Sequence, residues 1–241
     1  MAVHDSTPIA AREPKGDQVE RKRYKIAVLG GTGPQGMGLA LRLAAAGHEV
    51  TIGSRQAERA HAAAAQLSQR LGGRAIAGAD NRAAAGAAEI VFLTVPYAAQ
   101  QATVAEVRGE LDGKTFVDAT VPLVPPKVSV VQLPNGESAV AAVQQSLGAA
   151  VRVVSAFQNV SAQHLGDLDH AVDCDVLVCG DDQSARELVV GLCEDIGLRG
   201  IHAGPIRNSA AVEAMTSVLI AINRRYKVPG AGIRITGIEK K

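Results

Sequence analysis

The sequence contains no tryptophan, and aromatic residues make up only 2 % of its 241 residues. Hydrophobic residues nevertheless reach 47 %, and the chain holds 25 glycines. A composition rich in alanine, valine and glycine suits closely packed helices and parallel strands. A chain of this length can bury a sizeable core, either in one domain or in one domain with a small appendage.

Cysteine is also scarce. The three cysteines, Cys174, Cys179 and Cys193, form neither a CxxC pair nor a cluster with the spacing of metal ligands. A sparse and odd number of cysteines indicates reduced, buried thiols in a cytoplasmic protein, so we expect no disulfide framework and no metal site.

The chain lacks an excess of charge and a long apolar run. Its formal net charge is +1, so no overall field would attract nucleic acid or a membrane surface. No apolar run reaches the roughly 18–20 residues that cross a bilayer. The first 23 residues carry charges throughout and have no apolar region typical of a secretory signal. We predict that residues 1–23 form a flexible tail, and the alternative is a partner-binding arm.

From Lys25 onward, short apolar runs alternate with helical patterns. The clearest strand, residues 90–95, is apolar enough to be buried on both faces. Strands that alternate with helices predict a doubly wound α/β fold, a parallel sheet with right-handed crossovers. The predicted strands are 26–29, 49–52, 75–77, 90–95, 115–118, 151–156, 175–179 and 198–202. The predicted helices are 36–46, 56–71, 98–110, 137–147, a helix from the cap pair Asp181-Asp182 to about 195, and 208–225.

The last predicted helix is apolar on nearly all sides, since it reads A-A-V-E-A-M-T-S-V-L-I-A-I-N after Ser209. A helix of this kind is packed all round. Its neighbours are either in its own domain or in a second subunit.

A glycine-rich turn follows the first strand. Gly31, Gly33 and Gly36 satisfy GxGxxG between a strand and a helix, and a second strand ends some twenty residues later. We expect Gly31 to permit the tight turn, Gly33 to let the backbone approach a pyrophosphate, and Gly36 to let the helix pack on the sheet. The helix N-terminus would then face the phosphates. The pattern predicts a dinucleotide site, and the alternative is a structural turn without a ligand.

The second strand ends without the acidic residue that binds the ribose hydroxyls of NAD and repels a 2′-phosphate. Ser54 and Arg55 stand there instead, and Arg59 follows one helical turn later on the same face. Arginine pairs with phosphate through a planar fork. These residues therefore favour NADP over NAD, and the alternative is an ordinary solvated helix start.

Val95 and Pro96 follow the fourth strand at the carboxyl edge of the sheet, where the nicotinamide would lie. We expect this apolar pair to pack against the ring and exclude water, although an ordinary strand exit has the same pattern. The six histidines have no metal-like spacing, and no Ser/His/Asp order stands out. We predict no catalytic residue, which fits a reaction that needs the placement of two rings more than acid–base groups.

Six segments together carry a resemblance to a known family: G-G-T-G-P-Q-G, V-T-I-G-S-R, L-T-V-P, V-V-S-A-F-Q-N-V-S-A, V-C-G-D-D and A-G-P-I-R-N-S. The chain resembles the NADPH-dependent reductases of the deazaflavin coenzyme F-420 (abbreviated F420), the F420:NADP oxidoreductase family, from about Lys25 to Ile238. The resemblance implies a cytoplasmic homodimeric oxidoreductase that transfers a hydride directly between NADP(H) and F420. It also implies a Rossmann domain over residues 24–155 and a small C-terminal α/β lobe over residues 156–241 for substrate binding and dimerisation.

The motif match also implies roles for individual residues. Thr32 and Gln35 would contact the phosphates, Ser54, Arg55 and Arg59 the 2′-phosphate, and Val95, Pro96 and Ala162 the nicotinamide. The deazaflavin substrate would lie against Gln158, Val160, Arg207, Thr216 and Ile233.

Three residues depart from the family pattern. Gln158 stands in the place of a histidine, Ala210 in that of an arginine, and Ala214 in that of a serine. Losing an arginine and a histidine near an acidic coenzyme weakens its binding or signals another acceptor, unless Arg207 compensates. These departures motivate one alternative, an NADPH-dependent reductase of a flavin, quinone, imine or ketone. The absence of a catalytic acid and the N-terminal tail motivate another, a non-catalytic NADPH-sensing protein.

Overall fold

The computed structural model describes residues 22–238. The flexible tail predicted over residues 1–23 lies outside the described residues except for its last two. The strands are β1 (Lys25–Leu29), β2 (Glu49–Ser54), β3 (Ala77–Asp80), β4 (Ile90–Leu93), β5 (Thr115–Asp118), β6 (Arg152–Ser155), β7 (Asp175–Gly180) and β8 (Arg199–His202). The helices are α1 (Pro34–Ala45), α2 (Ala57–Arg70), α3 (Asn81–Ala87), α4 (Tyr97–Val107), α5 (Ala139–Leu147), α6 (Ala162–Leu165), α7 (Gln183–Asp195) and α8 (Ser209–Tyr226).

The strands form one eight-stranded sheet in the order β3-β2-β1-β4-β5-β6-β7-β8. All pairs from β3 to β6 are parallel, whereas β7 runs antiparallel to β6 and β8 parallel to β7. The chain winds outward from β1 to β3 and then crosses back to β4, so strand order reverses between β1 and β4. The predicted Rossmann-type α/β fold is confirmed, and its last third extends the same sheet.

The sheet is buried on both faces. All four residues of β4 are fully buried, and they alternate between two apolar clusters: Ile90 and Phe92 belong to one, Val91 and Leu93 to the other. Successive side chains of a strand point to opposite faces, so the two clusters lie on the two sides of the sheet. Burial on both faces therefore explains the continuous apolar run in β4, as the sequence predicted.

The third strand lies further along the chain than predicted, at Ala77–Asp80 instead of residues 75–77. A Cβ on Gly78 would come within 2.5 Å of the backbone of Ala60 and His61, so close packing against α2 fixes this strand. Its sequence, A-G-A-D, has little strand propensity, and the pattern therefore gave a weak signal. Helix α3 follows at once, capped by Asp80, and was not predicted.

The C-terminal helices begin where the sequence predicted. Asp182 caps α7 by accepting a hydrogen bond from the Ala185 N–H (2.7 Å), and α8 starts at Ser209. Helix α8 is only partly covered within one chain, since Val218 is 43 % exposed. Between residues 22 and 238, none of the helices is both long enough and apolar enough to traverse a membrane.

Candidate cofactor and substrate site

A cleft of about 560 Å³ opens at the carboxyl edge of the sheet, where the strand order reverses between β1 and β4. Doubly wound folds bind their ligands at this place, because the crossovers leave a crevice there. The residues that line the cleft are Gly30, Thr32, Gly33, Ser54, Arg55, Gln56, Arg59, Asn81, Thr94, Val95, Pro96, Ala99 and Thr103.

The glycine turn forms the floor of the cleft. Gly30 takes a φ of +76°, so the tight turn predicted for Gly31 is at Gly30. Gly31 is close-packed instead, because a Cβ there would lie 2.7 Å from the carbonyl oxygen of Val28. Gly33 precedes α1, which has no side-chain cap. The first N–H groups of α1 therefore remain available to an anion.

Gly36 and Gly33 lack a side chain for different reasons. A Cβ on Gly36 would meet Thr94 Oγ1 at 2.5 Å and the Gly31 Cα at 2.7 Å, so glycine lets α1 approach the end of β4. A Cβ on Gly33 would have only the Gly30 carbonyl oxygen near it, at 3.5 Å. Gly36 is needed by the packing, whereas Gly33 leaves open space on the cleft side.

Ser54 ends β2, and its Oγ accepts a hydrogen bond from the Gln56 N–H (3.3 Å). Arg55 and Arg59 are exposed beside it, and neither forms an ion pair with another residue of the 22–238 segment. No carboxylate lines the cleft among the described residues. This end of the cleft is therefore positively charged and suited to a phosphate.

Asn81 lines the same end of the cleft and was not singled out by the sequence analysis. It is 2 % exposed and directly follows β3, the strand whose position the sequence pattern missed. Its Nδ2 donates to Glu106 Oε2 (3.0 Å), while its Oδ1 has no partner among the described residues. The sequence feature that would have indicated Asn81 is its position directly after β3, the strand that pairs with β2.

Val95 and Pro96 line the other end of the cleft. Four predicted cofactor residues are not among its lining residues, namely Gly31, Gln35, Gly36 and Ala162. Gln35 donates from Nε2 to the Phe157 carbonyl oxygen (3.0 Å), which ties the glycine turn to the segment after β6. Ala162 begins α6, a short helix that packs against α1.

The turn after β6 is conformationally unusual. Phe157 is fully buried with a φ of +73°, a region that bulky side chains rarely adopt. The Thr216 hydroxyl donates to the Gln158 carbonyl oxygen (2.8 Å) and so fixes the turn against α8. The structure thus brings Gln158 and Thr216 together, next to the residue that Gln35 contacts.

Gln158 is buried, and its side-chain amide is used internally. Nε2 donates to the Asp118 carbonyl oxygen and to Ser155 Oγ, both at 2.8 Å. Both of its N–H donors are therefore occupied. The side chain holds the turn to β5 and β6.

The remaining predicted substrate residues do not share one cavity with Gln158. Val160 is buried in the core, and Ile233 accepts a backbone hydrogen bond from Asp175 (2.8 Å) at the edge of β7. Arg207 and Ala210 line a second cavity of about 470 Å³ beside α5. This cavity shares no lining residue with the cofactor cleft.

Two carboxyl groups are buried behind the turn. Asp118 is 0 % exposed, and burial raises its pKa above the ordinary range, although hydrogen bonds from Thr120 and Gln100 oppose the shift. Burial also raises the pKa of Glu213, which accepts hydrogen bonds from Ser138 Oγ (2.6 Å) and the Ala139 N–H (2.8 Å). Neither carboxyl lines the cofactor cleft.

The position and lining of the cleft define the class of the protein, which is a Rossmann-type dinucleotide-binding fold. Residues 25–122 match the family model described as NADP oxidoreductase coenzyme F420-dependent. The chain is 43 % identical over 225 residues to the F420-dependent NADP reductase of Methanothermobacter thermautotrophicus, covering 90 % of this chain and 97 % of the relative. The same reductase of Methanocaldococcus jannaschii is 43 % identical over 223 residues, with 89 % and 99 % covered.

A solved structure also resembles this chain in fold and in sequence. The crystal structure of an Arthrobacter sp. FB24 protein assigned as an F420-dependent NADP reductase matches with a TM-score of 0.74 and 29 % identity, over 88 % of this chain and 99 % of that one. The chain therefore belongs to the F420-dependent NADP reductase family. The resemblance noted in the sequence is confirmed.

Proposed function

We propose that this protein is an NADP-dependent oxidoreductase that transfers a hydride directly between NADP(H) and coenzyme F420. Identity of 43 % along almost the whole length of reductases with this activity in their names carries the proposal. When bound, the nicotinamide supplies the hydride chemistry. The residues of this chain bind the two substrates, orient them and exclude water.

The adenosine end of the cleft fits NADP better than NAD. Arg55 and Arg59 have no carboxylate partner among the described residues, and no carboxylate lines the cleft to repel a 2′-phosphate. Ser54 adds a hydroxyl donor at the end of β2. These three residues would hold the 2′-phosphate by charge and hydrogen bonding.

The pyrophosphate fits the start of α1. Thr32 and Gly36 would direct backbone N–H groups to it. The N–H groups of Gly31 and Gly33 donate to the carbonyl oxygens of Val28 and Gly30, so these two glycines would let the backbone approach without an intervening side chain. Gln35 would contribute its backbone N–H, because its side-chain amide donates to Phe157. This division of roles refines the phosphate contact implied by the motif.

The nicotinamide end is apolar. Val95 and Pro96 would pack on one side of the ring, with Ala162 of α6 beside it, and would keep water from the reacting atoms. A direct hydride transfer needs no proton relay, and no titratable side chain lines this end of the cleft among the described residues. The protein would therefore promote hydride transfer by positioning the two substrates.

The deazaflavin would lie against the Gln158 turn and Thr216. Val160 would support this turn from the core, and Ile233 would approach from the edge of β7. Both donors of the Gln158 amide are engaged, so this residue would shape the turn rather than bind a charged group. Arg207 would supply the positive charge for the acidic tail of the coenzyme, in place of the arginine absent at position 210. Because Arg207 would be the single arginine at this place, the competing hypothesis is that NADPH reduces another acceptor.

A panel of acceptors tests the proposal. Purified protein with NADPH is mixed with F420, a free flavin, a quinone, an imine or a ketone. We expect multiple turnovers with F420 and little activity with the rest. Faster turnover of another acceptor would support the second enzyme hypothesis, and no turnover with any acceptor would support an NADPH-sensing protein.

We also infer a homodimer and a division into two domains. The exposed Val218 of α8, together with Val130 and Tyr226, offers an apolar surface for a second copy, and sedimentation would give its mass. Strand direction changes after β6, which supports a boundary between residues 24–155 and 156–241. Three free, buried cysteines suit a cytoplasmic location.

A further inference from the structure

We propose that Asn81 recognises the adenosine ribose of NADP(H), with its Oδ1 accepting a hydrogen bond from the ribose 3′-hydroxyl. The 2′-phosphate leaves this hydroxyl as the free donor on the adenosine ribose. The inference rests on the proposed function only in that the cleft binds NADP(H), and it does not depend on the acceptor.

Asn81 lies beside the residues that distinguish the two cofactors. Strand β3 pairs with β2 in a register that puts Asp80 opposite Ser54, and Asn81 is the next residue. It lines the cleft together with Ser54 and Arg55. A group bound at this end of the cleft therefore lies within the neighbourhood of both the phosphate site and the Asn81 side chain.

The Asn81 amide has a fixed orientation. Nδ2 donates to Glu106 Oε2 at 3.0 Å, and because an ionised carboxylate only accepts, the oxygen of the amide must face away from it. Oδ1 is buried and has no donor among the described residues. A buried acceptor without a donor is unfavourable, and because Asn81 lines the cleft, a ligand bound there would be able to supply the donor.

Gly53 brings this oxygen to the end of β2. A Cβ on Gly53 would lie 2.5 Å from Leu29 Cδ2 and 3.2 Å from Asn81 Oδ1, so a larger residue would crowd both side chains. In an NAD site the acceptor for the ribose hydroxyls is an acidic residue at the end of this strand. Here a neutral amide at the start of α3, directly after the adjacent strand, would supply the acceptor, and it carries no charge to repel the 2′-phosphate.

Titration calorimetry with adenosine 2′,5′-bisphosphate and its 3′-deoxy analogue tests the proposal without any acceptor. We expect the wild-type protein to bind the hydroxylated ligand about tenfold more tightly, about the loss expected for one hydrogen bond to a buried, otherwise unpaired group. Asn81→Ala should lose this preference and bind both ligands with the affinity that wild type has for the deoxy analogue.

Thr103→Val is the matched control, since Thr103 also lines the cleft but its hydroxyl donates to the Ala99 carbonyl oxygen. This variant should keep the preference for the 3′-hydroxyl. If Asn81→Ala does not fold, the wild-type comparison still decides, because equal affinities for the two ligands overturn the proposal.

Four results would contradict the inference. An unchanged preference in Asn81→Ala means that another group binds the hydroxyl. Weaker binding of the inosine analogue than of the adenosine ligand by wild type, but not by Asn81→Ala, means that the amide contacts the adenine amino group instead. Absence of binding by both the bisphosphate and NADPH overturns the cofactor assignment as well, whereas tight binding without a 3′-preference overturns the Asn81 inference alone.

Discussion

Arg55 and Arg59 line the cleft without a carboxylate partner among the described residues, so their guanidinium groups can pair with the phosphate of a ligand. We expect Arg55→Ala to raise the dissociation constant for NADPH at least tenfold, about 1.4 kcal/mol, and to leave NADH binding nearly unchanged. Fluorescence titration of both cofactors measures this.

Arg152→Ala is the control, since Arg152 begins β6 at the opposite edge of the sheet. It should change neither affinity. Equal losses of NADPH and NADH binding in Arg55→Ala would argue against a role in 2′-phosphate recognition.

Gly33 and Gly36 form a second matched pair. Gly33→Ala should change the free energy of unfolding by less than about 1 kcal/mol, because the new Cβ has space, yet weaken NADPH binding by blocking the pyrophosphate. Gly36→Ala should cost about 1–3 kcal/mol of stability, because its Cβ meets Thr94. Urea unfolding and cofactor titration separate the two effects, and the same loss of stability in both variants would refute the distinction.

The buried carboxyl of Asp118 makes stability depend on pH. Its folded-state pKa is raised by burial, so its contribution is fully present below the unfolded pKa of about 3.9 and is lost as pH rises towards the folded value. Asp118→Asn mimics the protonated form and removes this loss. We expect the stability of Asp118→Asn relative to wild type to increase as the pH rises above about 3.9. Urea unfolding measures the free energy of unfolding of both proteins at each pH. A difference between them that does not change with pH would contradict the assignment.

At the scale of elements, one arginine of α1 holds α6 and the loop after it. Arg42 is 7 % exposed, and its guanidinium donates to the carbonyl oxygens of His164, Leu165, Asp167 and His170. These bonds hold the segment that carries Ala162 against the helix of the glycine turn. The proposed nicotinamide pocket thus depends on a contact remote from it in sequence.

Arg42→Met should lower the free energy of unfolding by about 3 kcal/mol, because several charge-assisted hydrogen bonds are lost. Amide hydrogen exchange in residues 164–170 should accelerate. Arg70→Met is the control, since Arg70 makes a single exposed bond to Gly166, and it should cost less than about 1 kcal/mol. Unchanged exchange in Arg42→Met would show that α6 is held by other contacts.

The sequence correctly predicted the elements that have a clear apolar pattern or a capping residue. It misplaced or missed the elements that are built mainly from small residues. Strand β4 was evident because all four of its residues are apolar, and α7 was evident because Asp182 caps it. Strand β3 and helix α3 were displaced or missed, since A-G-A-D and N-R-A-A-A-G-A carry no clear period. Asn81, which lines the cleft, was not singled out for the same reason, although Ser54 and Arg55 at the end of the adjacent strand were predicted.

At the scale of the whole molecule, long-range contacts join the cofactor cleft to the C-terminal third. Gln35 of α1 bonds the turn after β6, and Thr216 of α8 bonds the next residue of that turn. Partners separated by 122 and 58 residues cannot be read from local sequence patterns. The family resemblance, rather than periodicity, pointed to Gln158 and Thr216 as neighbours of one site.

Direct transfer between the two substrates can be followed with an isotope. NADPH carrying deuterium on the transferred position of its nicotinamide C4 is mixed with the protein and F420 in ordinary water, and the reduced F420 is examined by mass spectrometry and NMR. We expect bleaching of the deazaflavin absorbance band and one deuterium at C5 of the reduced coenzyme. No bleaching at saturating NADPH, or reduced F420 that carries only solvent hydrogen at C5, would contradict direct hydride transfer.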